Sequence, residues 1–140
     1  ERNTPEIKTT DYKGCLSAYK KANQNSCFEA ILLDRNNCIL EGSRSNVFWV
    51  MSNSLFTQEK NVLPGITKET IIEDSPTPIL YGKLNIFDIS RVDELFLTNS
   101  GSGIIPVRKV DSVLINNGFP GSKTSKLLEL FSLWSKKSFK

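Results

Sequence analysis

The segment Cys38–Val50 most constrains how this chain can fold. Its sequence is Cys-Ile-Leu-Glu-Gly-Ser-Arg-Ser-Asn-Val-Phe-Trp-Val. Two apolar runs rich in β-branched and aromatic residues predict strands at Ile39–Leu40 and Val47–Val50, with a polar turn between them. Glu41 then stands at the end of a buried strand, where a carboxylate is costly unless a cationic group meets it. We therefore expect Glu41 to face a positively charged partner.

The composition predicts one ordinary globular domain. The chain has 140 residues, of which 39% are hydrophobic and 24% charged, enough for a core of its own. No apolar run approaches the roughly 18 residues of a membrane helix, and a net charge of +3 from scattered lysines does not indicate nucleic-acid binding. Three cysteines without CxxC spacing indicate free thiols in a reducing compartment. We expect a cytoplasmic protein that binds neither membranes nor nucleic acid.

The chain contains no histidine, and it has one candidate amine at Lys8. Ser-His-Asp and Cys-His systems and His-ligated metals are excluded for these residues, and we predict no metal site. Lys8 precedes a predicted helix with possible N-cap oxygens at Thr9–Asp11 and an apolar stripe from Tyr12 to Tyr19. The positive end of a helix dipole lowers a lysine pKa, which favours the neutral amine that a Schiff base requires. The alternative is that Lys8 is only a solvated charge.

The remaining pattern alternates short apolar runs with turns and includes two further helices. A hairpin is predicted from residues 27–34 and 38–40, and its continuation through strands 46–51 and 55–57 gives an antiparallel meander. The later elements are a helix near 68–73, strands at 79–84, 92–98, 104–107 and 110–115, and a closing amphipathic helix after Gly121 and Ser122. These elements predict a single α+β domain over residues 1–140.

Two loops have the chemistry of anion sites. Leu63–Thr67 leads into a helix, so the backbone N–H groups of Ile66 and Thr67 would point out of a helix N-terminus, and Gly65 allows a close backbone approach. Thr98–Gly103 is rich in Gly and Ser and offers further N–H groups and hydroxyls. Each loop could equally be an ordinary junction, with Thr67 as a helix cap. Together with an amine and a carboxylate, however, they form the set of groups that pyridoxal phosphate needs.

Four segments, in this order, resemble the class IV (fold type IV) pyridoxal-phosphate aminotransferases, a family of branched-chain aminotransferases, D-amino acid transaminases and aminodeoxychorismate lyases. The segments are Ile7–Tyr12, Glu41–Phe48, Leu63–Thr67, and Asp93–Ser100 together with Gly103–Val107. The resemblance implies the C-terminal, cofactor-binding domain of the D-amino acid aminotransferase-like fold. That domain has a mixed or antiparallel pseudo-barrel sheet with flanking helices, and its cofactor is pyridoxal 5'-phosphate.

The resemblance also implies a role for each matching residue. Lys8 would be the Schiff-base lysine and would shuttle the proton at the substrate Cα, and Glu41 would pair with the pyridine nitrogen. Tyr12 lies one helical turn from Lys8. The residues that would bind the phosphate are Ile66, Thr67 and Ser100, and those that would shape the turn below the ring are Arg44, Ser45 and Asn46.

The sequence departs from the family pattern in two respects. Lys68 stands where an arginine commonly follows the Leu-Pro-Gly-Ile-Thr loop, and the chain resembles only the larger domain, without the smaller N-terminal domain of the family. Three explanations are open: a fragment, a partner domain on another chain, or a homologue that no longer catalyses. For an enzyme we expect a homodimer acting on a small amino-acid-like substrate. Transamination and aminodeoxychorismate lysis are about equally expected, and the loop sequences lean slightly away from branched-chain enzymes.

Overall fold

The computed structural model describes residues 12–59, 62 and 65–138, and the side chains of residues 16–59, 62 and 65–132. Three α-helices, two short 3-10 helices and nine strands follow one another along the described residues. The helices are α1 (Tyr12–Gln24), α2 (Ile66–Asp74) and α3 (Ser122–Ser138), and the 3-10 helices are Ile86–Arg91 and Asn116–Gly118. The strands are β1 (Ile31–Leu33), β2 (Ile39–Gly42), β3 (Asn46–Met51), β4 (Ser54–Thr57), β5 (Ile79–Tyr81), β6 (Glu94–Asn99), β7 (Gly103–Pro106), β8 (Lys109–Val110) and β9 (Val113–Leu114).

A five-stranded mixed sheet forms the centre, in the order β5-β4-β3-β6-β7. The β4–β5 pair is parallel and the other pairs are antiparallel. Alternate side chains of β3 and β6 enter two different clusters, as the two-residue period of a strand requires. Phe48 and Phe96 stack in the cluster that includes Ile71 of α2 and Leu127 of α3. The opposite cluster includes Trp49, so the sheet is covered on both faces.

The predicted α+β class is confirmed, and the sheet is open rather than a closed barrel in the described residues. The predicted hairpin is present as β1 and β2, although β1 covers only Ile31–Leu33. This hairpin is a two-stranded sheet of its own, and β2 is not a strand of the central sheet although Ile39 and Val47 share one core cluster. The predicted continuous meander is therefore wrong at that point. The strand predicted over residues 110–115 is also wrong. Asp111 has a positive φ of 51°, which an aspartate tolerates in a turn, and the chain folds back as the β8–β9 hairpin.

The register of β3 against β6 determines which polar residues lie together. Asn46, the first residue of β3, is directly opposite Thr98 near the end of β6. One end of the central sheet therefore holds Asn46, the connection that leads to it from β2, and the end of β6. No helix in the described part of the chain is long and apolar enough to cross a bilayer.

Candidate functional site

The turn between β2 and β3 is tighter than the sequence predicts. Glu41 and Gly42 belong to β2, and only Ser43 and Arg44 form the turn. The Gly42 N–H donates to the Ser45 carbonyl at 2.8 Å, which closes the turn. Glu41 is only 3% exposed and lies opposite Leu32 of β1. The predicted buried carboxylate at the strand end is therefore present.

The N-terminus of α2 lies against the side chain of Asn46. Gly65 is the N-cap residue, and a Cβ atom added there would collide with Asn46 Oδ1. The φ of Gly65 is −74°, which other residues also adopt. Glycine is therefore required here by the close approach of two segments, as the sequence predicts, and not by the backbone conformation. The first helical bond joins the Glu69 N–H to the Gly65 carbonyl at 3.0 Å. The preceding N–H groups, including those of Ile66 and Thr67, have no carbonyl partner within the helix.

The loop after β6 is tied to the same helix end. The alternative interpretation of Thr67 as a helix cap is wrong. Its hydroxyl donates instead to the Asn99 carbonyl at 3.1 Å. The Asn99 side chain accepts from the Ser102 N–H at 2.6 Å, which shapes the loop. Ser100 lies between them and is exposed. The two predicted anion loops are thus brought together by a direct hydrogen bond.

Thr98 adds a polar atom that the sequence analysis did not identify. Its side chain is fully buried, and its hydroxyl oxygen has no hydrogen-bond partner among the described residues. Thr98 is opposite Asn46, and residues opposite each other across two strands share a face. The register of the two strands would have revealed this position, but register is not readable from the sequence alone.

Lys68 is a buried residue in the first turn of α2 and is also the residue that departs from the family pattern. It is 4% exposed, and its ammonium donates to the Gln58 carbonyl at 2.8 Å. Burial lowers the pKa of Lys68, while the carboxylates of Glu69 and Glu59 oppose that shift. The lysine therefore fixes the first turn of α2 to the end of β4 and adds a positive charge near the helix start.

Several predicted residues lie outside what the structure describes. They are Lys8, Leu63 and Pro64, together with the side chain of Tyr12. Among the described residues, the structure brings together the Glu41 strand, Asn46, the start of α2 and the Asn99–Ser100 loop. A helix start with open N–H groups fits a phosphate, and a buried carboxylate fits a protonated ring nitrogen. Gly65 lets the start of α2 approach Asn46 closely, and the buried Thr98 hydroxyl has no partner among the described residues. Together these residues fit pyridoxal phosphate.

Comparisons with known sequences agree with this arrangement. The family model described as amino-transferase class IV matches residues 1–110. A putative branched-chain-amino-acid aminotransferase of Methanocaldococcus jannaschii is 33% identical over 132 residues, which cover 91% of this chain and 46% of that protein. An aminodeoxychorismate lyase of Bacillus subtilis is 30% identical over 138 residues, covering 92% and 46%. A D-alanine aminotransferase of Listeria monocytogenes is 30% identical, covering 90% and 45%.

Solved structures show the same fold. The branched-chain amino acid aminotransferase of Escherichia coli has a TM-score of 0.80 at 29% identity, over 86% of this chain and 43% of that chain. The T.th. branched-chain amino acid aminotransferase, determined with N-(5'-phosphopyridoxyl)-L-glutamate, has a TM-score of 0.83 at 26% identity, over 91% and 44%. This chain therefore spans less than half the length of the relatives it matches. The similar identities of transaminases and the lyase do not favour one reaction over the other.

Proposed function

Because the chain belongs to the class IV aminotransferase family, we propose that it forms the pyridoxal 5'-phosphate site of an enzyme that transfers the amino group of an amino acid. The observation that carries this proposal is the contact of three segments at one end of the sheet. Asn46 touches Gly65 at the start of α2, and Thr67 of the same helix bonds to Asn99. These contacts hold a carboxylate strand and two anion loops in one place.

The start of α2 would bind the phosphate. The N–H groups of Ile66 and Thr67 precede the first helical hydrogen bond, so they can donate to an anion where the helix dipole also favours negative charge. Ser100, held beside them by the bond from Thr67 to Asn99, would donate its exposed hydroxyl. The turn residues Ser45 and Asn46 would support the cofactor from the β3 side.

Glu41 would hold a proton on the ring nitrogen of the cofactor. When bound, pyridoxal phosphate supplies the electron sink for the bond that is broken at the substrate Cα. The carboxylate of Glu41 is buried, and a buried negative charge favours the protonated form of a nearby base. Lys8 is the proposed Schiff-base lysine, and its amine would move the proton at the substrate Cα.

A second candidate function is aminodeoxychorismate lysis. It is favoured by the match to the Bacillus subtilis lyase, which extends over 138 residues. The residues proposed here serve both reactions, so the products discriminate between them. Transamination moves the amino group to a second 2-oxo acid, whereas the lyase reaction releases 4-aminobenzoate and pyruvate without transfer of an amino group. In either case we propose that residues 1–140 form one domain, which works with a smaller domain in a homodimer.

Cofactor binding by the full chain tests the proposal. The dissociation constants of pyridoxal phosphate and of pyridoxal, which lacks the phosphate, are measured from the visible spectrum. Because charge-assisted hydrogen bonds from α2 act only on the phosphate, we expect pyridoxal to bind at least about tenfold more weakly. Equal binding of the two compounds would contradict the proposed phosphate site.

The role of Glu41 is tested with Glu41→Gln. We expect this variant to keep the cofactor but to lose amino-group transfer, because a neutral amide does not keep the ring nitrogen protonated. Glu94→Gln is the matched control. Glu94 is also a buried carboxylate, 6% exposed, but it accepts hydrogen bonds from Thr124 at the start of α3. Undiminished transfer by the Glu41 variant would refute the assignment.

A further inference from the structure

The carboxylate of Glu29 is the hydrogen-bond acceptor for the whole turn between β2 and β3. Its Oε1 accepts from the Ser43 hydroxyl, and its Oε2 accepts from the Arg44 N–H at 3.0 Å and from the Ser45 hydroxyl at 2.9 Å. The Ala30 N–H also donates to Oε1, at 2.9 Å. One side chain thus holds three consecutive residues of a turn that is 14 or more positions away in sequence.

The turn is built around this carboxylate. A Cβ atom added at Gly42 would collide with Ser45 Oγ and lie 3.0 Å from Glu29 Oε2. The Ser43 N–H additionally donates to the Ala30 carbonyl at 2.9 Å. Gly42 therefore leaves the space in which the carboxylate reaches the turn, and the segment before β1 is fixed to the turn by both side-chain and backbone bonds.

The turn joins two residues of the proposed cofactor site. Glu41 directly precedes Gly42, and Asn46 directly follows Ser45. The turn thus separates the proposed carboxylate for the ring nitrogen from the amide that contacts Gly65 by only four residues. The guanidinium of Arg44 lies 3.7 Å above the ring centroid of Tyr19, so the same turn also contacts α1.

We propose that Glu29 is a positioning residue of the cofactor site, which sets the β2–β3 turn and thereby the placement of Glu41 and Asn46. The proposal rests on the proposed function, since it concerns the same cofactor. Glu29 lies in the segment that connects α1 to β1 and acts through the turn rather than by touching the cofactor. A glutamine has one acceptor oxygen, so its NH2 group would face a backbone N–H donor, that of Ala30 or that of Arg44.

Asp34 provides a matched control at the other end of the same hairpin. Its Oδ1 accepts from the Asn36 N–H at 2.8 Å and from the Cys38 N–H at 2.9 Å. Like Glu29, it is a half-buried carboxylate that holds a turn by backbone N–H groups. Asp34→Asn removes the same charge, but its amide oxygen can still accept from both N–H groups, so this variant should leave the Glu41 strand end in place.

Two readouts separate positioning from general stability. The first, which needs no cofactor, is hydrogen exchange of the Arg44 amide in the full chain. The second is the dissociation constant of pyridoxal phosphate, together with the pH at which the absorption of the bound cofactor changes. We expect Glu29→Gln to raise the exchange rate and to weaken cofactor binding by about tenfold each, the effect of one lost charge-assisted hydrogen bond. The pH of the absorption change should also move. Asp34→Asn should leave the exchange rate and the dissociation constant within about twofold of wild type and the pH of the absorption change unaltered.

Equal cofactor binding and an equal absorption profile in wild type and Glu29→Gln would overturn the proposal while leaving the proposed function intact. Equal losses in the Glu29 and Asp34 variants would also overturn it, because they would show a merely structural role. A wild-type chain that does not bind the cofactor would instead overturn the proposed function, and this proposal with it. If Glu29→Gln does not fold, Ser43→Ala removes a single donor and should shift the same readouts in the same direction; unchanged readouts in that variant would overturn the proposal.

Discussion

Substitution of Gly65 by alanine tests whether the start of α2 and the β3 strand end are built around one contact. Two effects oppose each other in this variant. Gly65 has φ −74° and ψ 145°, which an alanine adopts without strain, so the lower entropy of the unfolded chain should stabilise by about 0.4–1 kcal/mol. Against this, the new Cβ would overlap Asn46 Oδ1, and the Asn46 side chain is only 7% exposed.

The steric effect should prevail. Displacing a buried side chain by overpacking typically costs about 1–3 kcal/mol, which exceeds the entropic gain. The other close atoms, Asn46 Cγ at 3.5 Å and Lys68 Cβ at 3.8 Å, are at ordinary contact distances. Almost all of the penalty therefore comes from the Asn46 amide. In an Asn46→Ala background the same substitution should be neutral or stabilising, which gives a coupling of about 2 kcal/mol between the two sites.

Urea unfolding of the four proteins of this double-mutant cycle measures the coupling. With a urea m-value of about 1–3 kcal/mol per molar, a net loss of about 1 kcal/mol moves the midpoint by several tenths of a molar or more. Gly101→Ala is the control, because its nearest neighbour, Asn99 Oδ1, would be at an ordinary 3.7 Å. An effect of Gly65→Ala that is the same with and without the Asn46 side chain would refute the reasoning.

Two further predictions concern the first turn of α2. Burial lowers the pKa of Lys68, so the unfolded chain binds more protons than the folded chain between this lowered pKa and the ordinary value of 10.5, and the free energy of unfolding should rise with pH through that window. Urea unfolding at a series of pH values measures this rise, which Lys68→Met should abolish. A rise that persists in the variant would contradict the assignment. Thr67→Val keeps the side-chain shape but removes the hydrogen bond to the Asn99 carbonyl, so it should lower the free energy of unfolding by about 1 kcal/mol. The variant should also bind pyridoxal phosphate more weakly, with a smaller effect on pyridoxal. An equal effect on both ligands would show that Thr67 does not belong to the phosphate site.

The four sequence motifs were sufficient to identify the family. The class IV model and the relatives of three named activities confirm that prediction. The apolar runs around Glu41 correctly predicted that it lies at the end of a buried strand. The lack of a Cβ atom at Gly65 correctly predicted a close backbone approach. The cofactor roles of all the proposed site residues remain predictions: Lys8, Glu41, Ser45, Asn46, Ile66, Thr67 and Ser100.

Contacts between distant segments were not readable from the sequence. The role of Glu29 depends on three donors from the turn between β2 and β3, which are 14 or more positions away and meet it only in the folded chain. The buried Thr98 hydroxyl depends on the register of β3 against β6. The strand predicted over residues 110–115 failed because turn propensity at Asp111 prevailed over the apolar run.

The central claim is that this chain holds pyridoxal phosphate on one lysine. The most direct test adds the cofactor to the full chain, reduces the complex with borohydride and maps the modified residue by mass spectrometry, with Lys8→Ala as the control. The account predicts a label confined to Lys8 and a visible spectrum that the variant does not show. No label, a label scattered over surface lysines, or an unchanged spectrum in Lys8→Ala would contradict it.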